Sequence, residues 1–362
     1  MKLDAAAHEF LCLAADLTLD ERVRAQEDKL FEQWWDRWKV TMDAVAAQIE
    51  DGADGKTGEE VKALALQALV DKRTGFLEAM DEIHLERSEA IYVLGKREAF
   101  EQSTGYKTVA EYDTETEVVK AAPVYSTTLT LADQEAIAAL GTQEVFWIGQ
   151  YYDEDITAAV TGAADEVILT QGLSGIEAGE ALAGAVSSLA DIPPVNALLP
   201  AMGQMRPDLY WSGMATNAAT VARNIGRVNT FKRLGVVSIE LVNPDDSHTS
   251  IQCQLLSGTI MEVEWLHAQT TAVLGQTTPE GIKAVWPWVT PTDVVTSDDG
   301  AVVSGNLAGV HMEAGVAASA DEARAMAEAG IANPPFHFRC RTIAEVTEEV
   351  EEVEISEDWT KT

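Results

Sequence analysis

This chain is poor in cysteine, poor in basic residues and without long apolar runs. It has 3 cysteines in 362 residues. That number excludes a disulfide framework of the kind that holds small secreted domains together. Lys and Arg total 25 against 60 Asp and Glu, for a formal net charge of -35. Non-specific nucleic-acid affinity comes from basic groups that displace counterions from phosphates, so general DNA binding is not expected. No stretch reaches the roughly 18–20 consecutive apolar residues of a membrane helix, and the start, Met1 to Cys12, is broken by acids and lacks a secretory core. The expectation is a protein made in the cytoplasm, not exported and not bound to membrane.

What is present is a hydrophobic fraction of 46%, ample for a folded core. The acids are spread along most of the chain. That favours a surface adapted to concentrated salt, a halophilic setting, over a patch made for one basic partner.

Periodicity divides the chain. Phe31, Trp35, Trp38, Met42, Val45 and Ile49 fall on one helical stripe. Asp51 to Gly55 breaks that helix, and Thr57 with Glu60 opens the next through a capping box. The pair predicts a long antiparallel hairpin over residues 1–100, followed by a connection over 101–130 with β-leaning Thr108 to Val119. A central helical region spans 131–234, with a turn at Gly172 to Gly175 and a second capping box at Ser174 and Glu177. Past Gly235 the period shortens: Val236 to Val242 and Thr259 to Trp265 read as strands, Asp293 to Ser304 as a hairpin, Asp321 to Ala329 as a helix, and Arg341 to Val346 as a returning strand. Residues 235–346 thus form a small α+β module, and 347–362 an acidic tail. The fold class expected is α+β, predominantly helical.

Two short stretches concentrate the polar chemistry. One runs Asp246-Ser247-His248-Thr249-Ser250-Ile251-Gln252-Cys253 and on to Gly258; the other is Pro334-Pro335-Phe336-His337-Phe338-Arg339-Cys340-Arg341. His337 and Cys340 have the spacing of half a zinc site, with Cys253 as a third donor and His248 or Asp246 as the fourth. Three arrangements fit: a structural zinc on these residues, a reduced pair in a hydrogen-bonded turn cluster, and a Cys253–Cys340 disulfide. All three make the two stretches neighbours that staple the module. Asp246 suits a turn-capping role, with Arg341 as its candidate partner.

These stretches resemble the C-terminal signature of the phage head morphogenesis family, the Mu F-like minor head proteins. That signature runs Asp, Thr/Ser, Cys and a small turn with Gly, then Pro-Pro-x-His-x-x-Cys-Arg. The likeness extends upstream through Ala215 to Ala219 and Val221 to Arg227 into Phe231 to Val236, with Asn217 where a Glu is usual, and covers about residues 150–345. In family members with a metal-like arrangement the position of Ser250 is often Cys. The resemblance implies a structural minor head protein of a tailed virus, located in the virion at the capsid interior or portal vertex. Its expected partner is the portal protein, with the major capsid or scaffolding protein as further partners, in head assembly or DNA packaging and ejection.

Two sets of residues are partner-binding candidates. Trp34, Trp35 and Trp38 are either core or a docking patch on the hairpin; Arg223, Arg227, Lys232 and Arg233 are either paired internally or a basic docking face. No catalytic residue is expected, because the Cys/His group lacks an evident third member and cleft. The alternative activity is a metal-dependent hydrolase carried in the virion, which requires an open coordination position.

Overall fold

The computed structural model describes residues 18–104, 129–190, 207–243, 249–290, 293–297, 302–307, 309–337 and 340–347. In chain order the helices are α1 (Leu19–Gly52), α2 (Gly58–Thr104), α3 (Leu131–Tyr151), α4 (Thr157–Asp165), α5 (Gly175–Ser188) and α6 (Pro207–Leu234), with π-helical turns at Tyr152–Ile156 and Glu166–Thr170 on either side of α4. After α6 come β1 (Ser238–Val242), α7 (Ile251–Leu256), β2 (Ile260–Glu262), α8 (Val263–Leu274), α9 (Pro279–Val285), β3 (Val294–Thr296), β4 (Val302–Leu307), β5 (Val310–Glu313), α10 (Ala320–Glu328) and β6 (Ile343–Val346). The class is α+β and predominantly helical.

The chain divides into two compact units that do not follow its linear order. One gathers Met1–Glu27, Arg87–Leu140 and Thr216–Thr362; the other gathers Asp28–Glu86 and Gly141–Ala215. A division into an arm, a central region and a terminal module therefore gives way to units built from non-adjacent segments. The physical reason is helix length: α1, α2, α3 and α6 each contribute residues to both units.

In the unit of Asp28–Glu86 and Gly141–Ala215, α1 and α2 run antiparallel. The Trp34 indole donates to the Met80 carbonyl (3.3 Å), Arg37 to the Gly75 carbonyl (2.9 Å) and Gln48 to the Asp71 carboxylate (2.8 Å), so partner numbers fall as α1 advances. Thr57 and Glu60 cap α2 reciprocally. Trp34, Trp35 and Trp38 are buried, which corrects their reading as a docking patch. Trp211 sits among the rings of Trp34, Trp38 and Phe76, and Trp38 donates to the Leu189 carbonyl at 2.9 Å. Rings of this size are most favourable where their area leaves water and the indole N–H finds an acceptor. Gly172 and Gly175 take the left-handed conformation between the Glu166–Thr170 turn and α5, as the expected turn requires. Ser174 occupies the N-cap position of α5 without a side-chain cap bond, so the capping box expected with Glu177 is not formed.

In the other unit, two three-stranded antiparallel sheets, ordered β2-β1-β6 and β3-β4-β5, share one apolar core with α2 and α6 residues such as Phe100 and Phe231. The hairpin at Asp293 to Ser304 is present as β3 and β4, and β6 pairs with β1 in the register Leu241 to Ala344. Thr259 to Trp265 departs from expectation. Only Ile260–Glu262 is extended, and Val263 begins α8, because Val263, Leu266, Thr270 and Val273 are spaced to bury one helical face. Strand β5 and helices α7, α8 and α9 were not expected. The region Thr108 to Val119, Asp246, His248 and the tail beyond Thr347 lie outside the described residues.

Candidate metal centre

Each donor is placed by its own local structure. Ser250 is the N-cap of α7, and its hydroxyl accepts the Cys253 N–H at 3.2 Å, which sets Cys253 in the first turn. Gly258, at φ +79°, turns the chain from α7 towards β2, its N–H donating to Leu241 O at 2.9 Å. On the second stretch the Pro334–Pro335 bond is cis. Trp286 donates to the Pro335 carbonyl (3.0 Å), the Val289 N–H donates to the Phe336 carbonyl (2.7 Å), and Phe336 is buried. His337 thus follows a segment anchored in the core. The Cys340 N–H closes a turn onto the His337 carbonyl at 3.1 Å.

The result is convergence. Cys253 Sγ lies 2.9 Å from His337 Nε2 and 3.5 Å from Cys340 Sγ, and both cysteines are buried and free. The ligand atoms of Cys253, His337 and Cys340 all fall within 4.8 Å of one another. Two hydroxyls complete the surround: Ser250 Oγ is 2.6 Å from His337 Nε2, and Thr342 Oγ1 is 3.0 Å from Cys253 Sγ and 2.8 Å from Asn243 Oδ1. A tetrahedral zinc with Zn–S of about 2.3 Å holds its sulfurs roughly 3.7 Å apart. The sulfurs are close to that span, and two thiolates with an imidazole are a donor set that zinc favours. This group could hold a metal ion. His248 and Asp246, the fourth donors expected from the sequence, lie outside the described residues.

Electrostatics separates the two thiols. The hydrogen bond with Cys340, together with burial, pushes the Cys253 thiol up. Burial also opposes ionisation of Cys340, but its hydrogen bonds with Cys253 and His337 and the charge of the nearby imidazole outweigh that and hold it well below the usual thiol range.

Helix α6 fixes the second stretch from the other side. Thr220 donates to the Cys340 carbonyl (2.7 Å), Asn224 to the Thr342 carbonyl (3.2 Å) and Arg227 to the Ala344 carbonyl (2.8 Å). Positions 220, 224 and 227 share one helical face, and 340, 342 and 344 share one edge of an extended segment. The side chains of α6 therefore stand where another strand would pair with β6.

The basic candidates separate accordingly. Arg223 and Arg227 are buried: Glu98 accepts from Arg223 at 2.7 and 2.8 Å and from Arg227 at 2.8 Å, while Asp20 takes a further Arg223 bond at 2.9 Å. They are internal ion pairs, which corrects their reading as a docking face. Desolvated guanidiniums need carboxylates at this range. Lys232 and Arg233 are exposed, and Lys232 pairs with Glu264. Arg341, whose candidate partner Asp246 is outside the described residues, lines a cleft of about 490 Å³ with Arg24, Glu101, Ile343 and Glu345.

Sequence reasoning missed Ser250, Thr342, Asn243, Thr220 and Asn224 as members of this cluster. Three carried a local signal: Ser250, three positions before Cys253, is an N-cap pattern, and Thr220 and Asn224 share a face with Arg227. No family model matches the chain, and neither does any curated protein or any solved structure.

Proposed function

We propose that this chain is a structural minor head protein of a tailed virus, resident in the virion at the portal vertex and active in head assembly or in DNA packaging and ejection. The observation that carries the reading is the meeting of Cys253 with His337 and Cys340. These residues come from the two stretches that resemble the head morphogenesis signature, and their proximity is what a shared structural staple requires. The support from α6 to Cys340, Thr342 and Ala344 adds to it, because the upstream stretch of the resemblance lies on that helix.

Zinc is the metal that fits Cys253, His337 and Cys340. When bound it supplies cross-linking between segments that have little regular structure, and so folding free energy. The chain's own residues do the rest: Ser250 caps the turn that presents Cys253, Thr342 donates toward the Cys253 sulfur, and Thr220 holds the Cys340 carbonyl. A buried thiol pair enclosed by hydroxyls suits a structural role, and we assign no catalytic residue. The portal protein is the partner, with the major capsid or scaffolding protein as further partners.

Co-expression with the portal protein of the same genome, followed by size-exclusion with mass detection in molar and in low salt, tests the reading. A stable complex is expected, more robust in molar salt. Failure to co-elute under both conditions overturns it.

A further inference from the structure

The spacing of the two sulfurs suits more than one bond. A disulfide needs them about 2.05 Å apart, and a tetrahedral zinc holds them roughly 3.7 Å apart. At 3.5 Å, Cys253 Sγ and Cys340 Sγ stand between these values, nearer the second, in direct contact although 87 residues separate them in sequence. Neither sulfur has a competing thiol among the described residues, and no side chain separates them.

We infer that the staple has two interchangeable closures, a metal held by Cys253, His337 and Cys340 and a Cys253–Cys340 disulfide, with metal and oxidant competing for the same two sulfurs. This rests on the metal reading above. In the oxidation the two thiols give up two protons and two electrons and form one S–S bond. Hydrogen peroxide takes these and leaves as two molecules of water. The disulfide uses both sulfurs that would ligate the ion, so His337 alone cannot retain it. Either closure joins the Ser250–Gly258 turn to the Pro334–Arg341 turn. The module therefore stays stapled when the protein passes from a reducing cytosol to an oxidising exterior. The metal sets which closure forms, because a coordinated sulfur is not free to attack its neighbour.

The full chain carrying Cys12→Ser tests this. One sample is stripped by chelator and dialysed; the other receives one equivalent of zinc, with bound metal measured first. Both are treated with hydrogen peroxide and followed by alkylation, intact mass and non-reducing peptide mapping. The stripped sample is expected to yield a Cys253–Cys340 cross-linked peptide at least about tenfold faster than the loaded one, and the loaded sample to release one zinc per disulfide. His337→Ala should abolish the protection by zinc, so that the stripped and the zinc-treated samples of this variant oxidise at one rate, whatever that rate is relative to the wild type. Equal rates with and without zinc, disulfide with zinc retained, or oxidation to sulfinate or intermolecular dimers would each overturn the inference and leave the metal reading standing. Absence of zinc binding at the outset overturns both.

Discussion

Gly95 on α2 and Gly226 on α6 make a reciprocal close crossing. A Cβ on Gly95 would come within 2.2 Å of the Arg223 carbonyl oxygen, and one on Gly226 within 2.4 Å of the Tyr92 carbonyl oxygen. Backbone meets backbone there, and neither neighbour is a flexible side-chain end. This crossing brings Glu98 of α2 within reach of Arg223 and Arg227 of α6, and α6 in turn holds the strand that follows Cys340.

Gly226→Ala should therefore be destabilising well beyond the usual helix preference for Ala. Overpacking of this kind costs about 1–3 kcal/mol or more, whereas Gly→Ala at a free helical site gains up to about 1 kcal/mol. Gly75, also in α2, has open space where a Cβ would go, and Gly75→Ala is the control. Urea unfolding of the two variants checks the contrast, and a stabilised Gly226→Ala would contradict the close crossing.

Glu98 is shared by two buried guanidiniums. Glu98→Gln leaves Arg223 and Arg227 with reduced compensation, and breaking such a group costs about 3–5 kcal/mol. The expected result is a fall in the unfolding midpoint far larger than that of Lys39→Gln, whose pairing with Asp36 is exposed. Equal small effects would show that the buried group is not held as described.

His84 is fully enclosed and stacked on Trp34, and burial pushes its pKa down to about 3 from an ordinary 6.5. Above pH 6.5 the ring is neutral folded or unfolded, and pH has no leverage through it. As pH falls below 6.5 the unfolded chain takes up a proton that the folded chain refuses, so stability drops by about 1.4 kcal/mol per pH unit until about pH 3. Between pH 7 and pH 5 His84 should contribute a loss of about 2 kcal/mol, so that denaturant unfolding of His84→Phe shows a pH dependence smaller than that of the wild type by this amount. An identical pH dependence in both proteins would rule His84 out as the source.

Metal content offers a further check. One zinc per chain is expected by elemental analysis after purification in reducing buffer. Cys253→Ser and Cys340→Ser should lose it, and Cys12→Ser should keep it. Cys340→Ser should also loosen the sheet-bearing unit while leaving near-UV signals from the Trp34, Trp38 and Trp211 cluster unchanged. A Cys340→Ser protein with unaltered thermal unfolding would remove the staple from the argument.

Some of this was legible before any coordinates. The stripe from Phe31 to Ile49, the Thr57–Glu60 box, the left-handed turn at Gly172 to Gly175 and the hairpin near Asp293 are local. Each is written in one continuous stretch of sequence and formed by bonds between residues close along the chain. The pairing of Cys253 with His337 and Cys340 was legible for another reason: few residue types bind soft metals, and this chain has few of them.

The sequence by itself determined the long helices, the helical α+β class, the acidic composition and the two stretches that meet. Tertiary structure decided what faces inward. Arg223 and Arg227 look like a basic patch along the chain, and only the crossing at Gly95 and Gly226 brings Glu98 against them. Trp34, Trp35 and Trp38 are ambiguous until Trp211 fills the space between Trp34 and Trp38. The hydroxyls of Ser250 and Thr342 acquire meaning only from the sulfur and imidazole beside them. Helix formation reads local spacing, whereas burial and ion pairing are properties of residues distant in sequence, and their partners exist only once the chain has closed on itself.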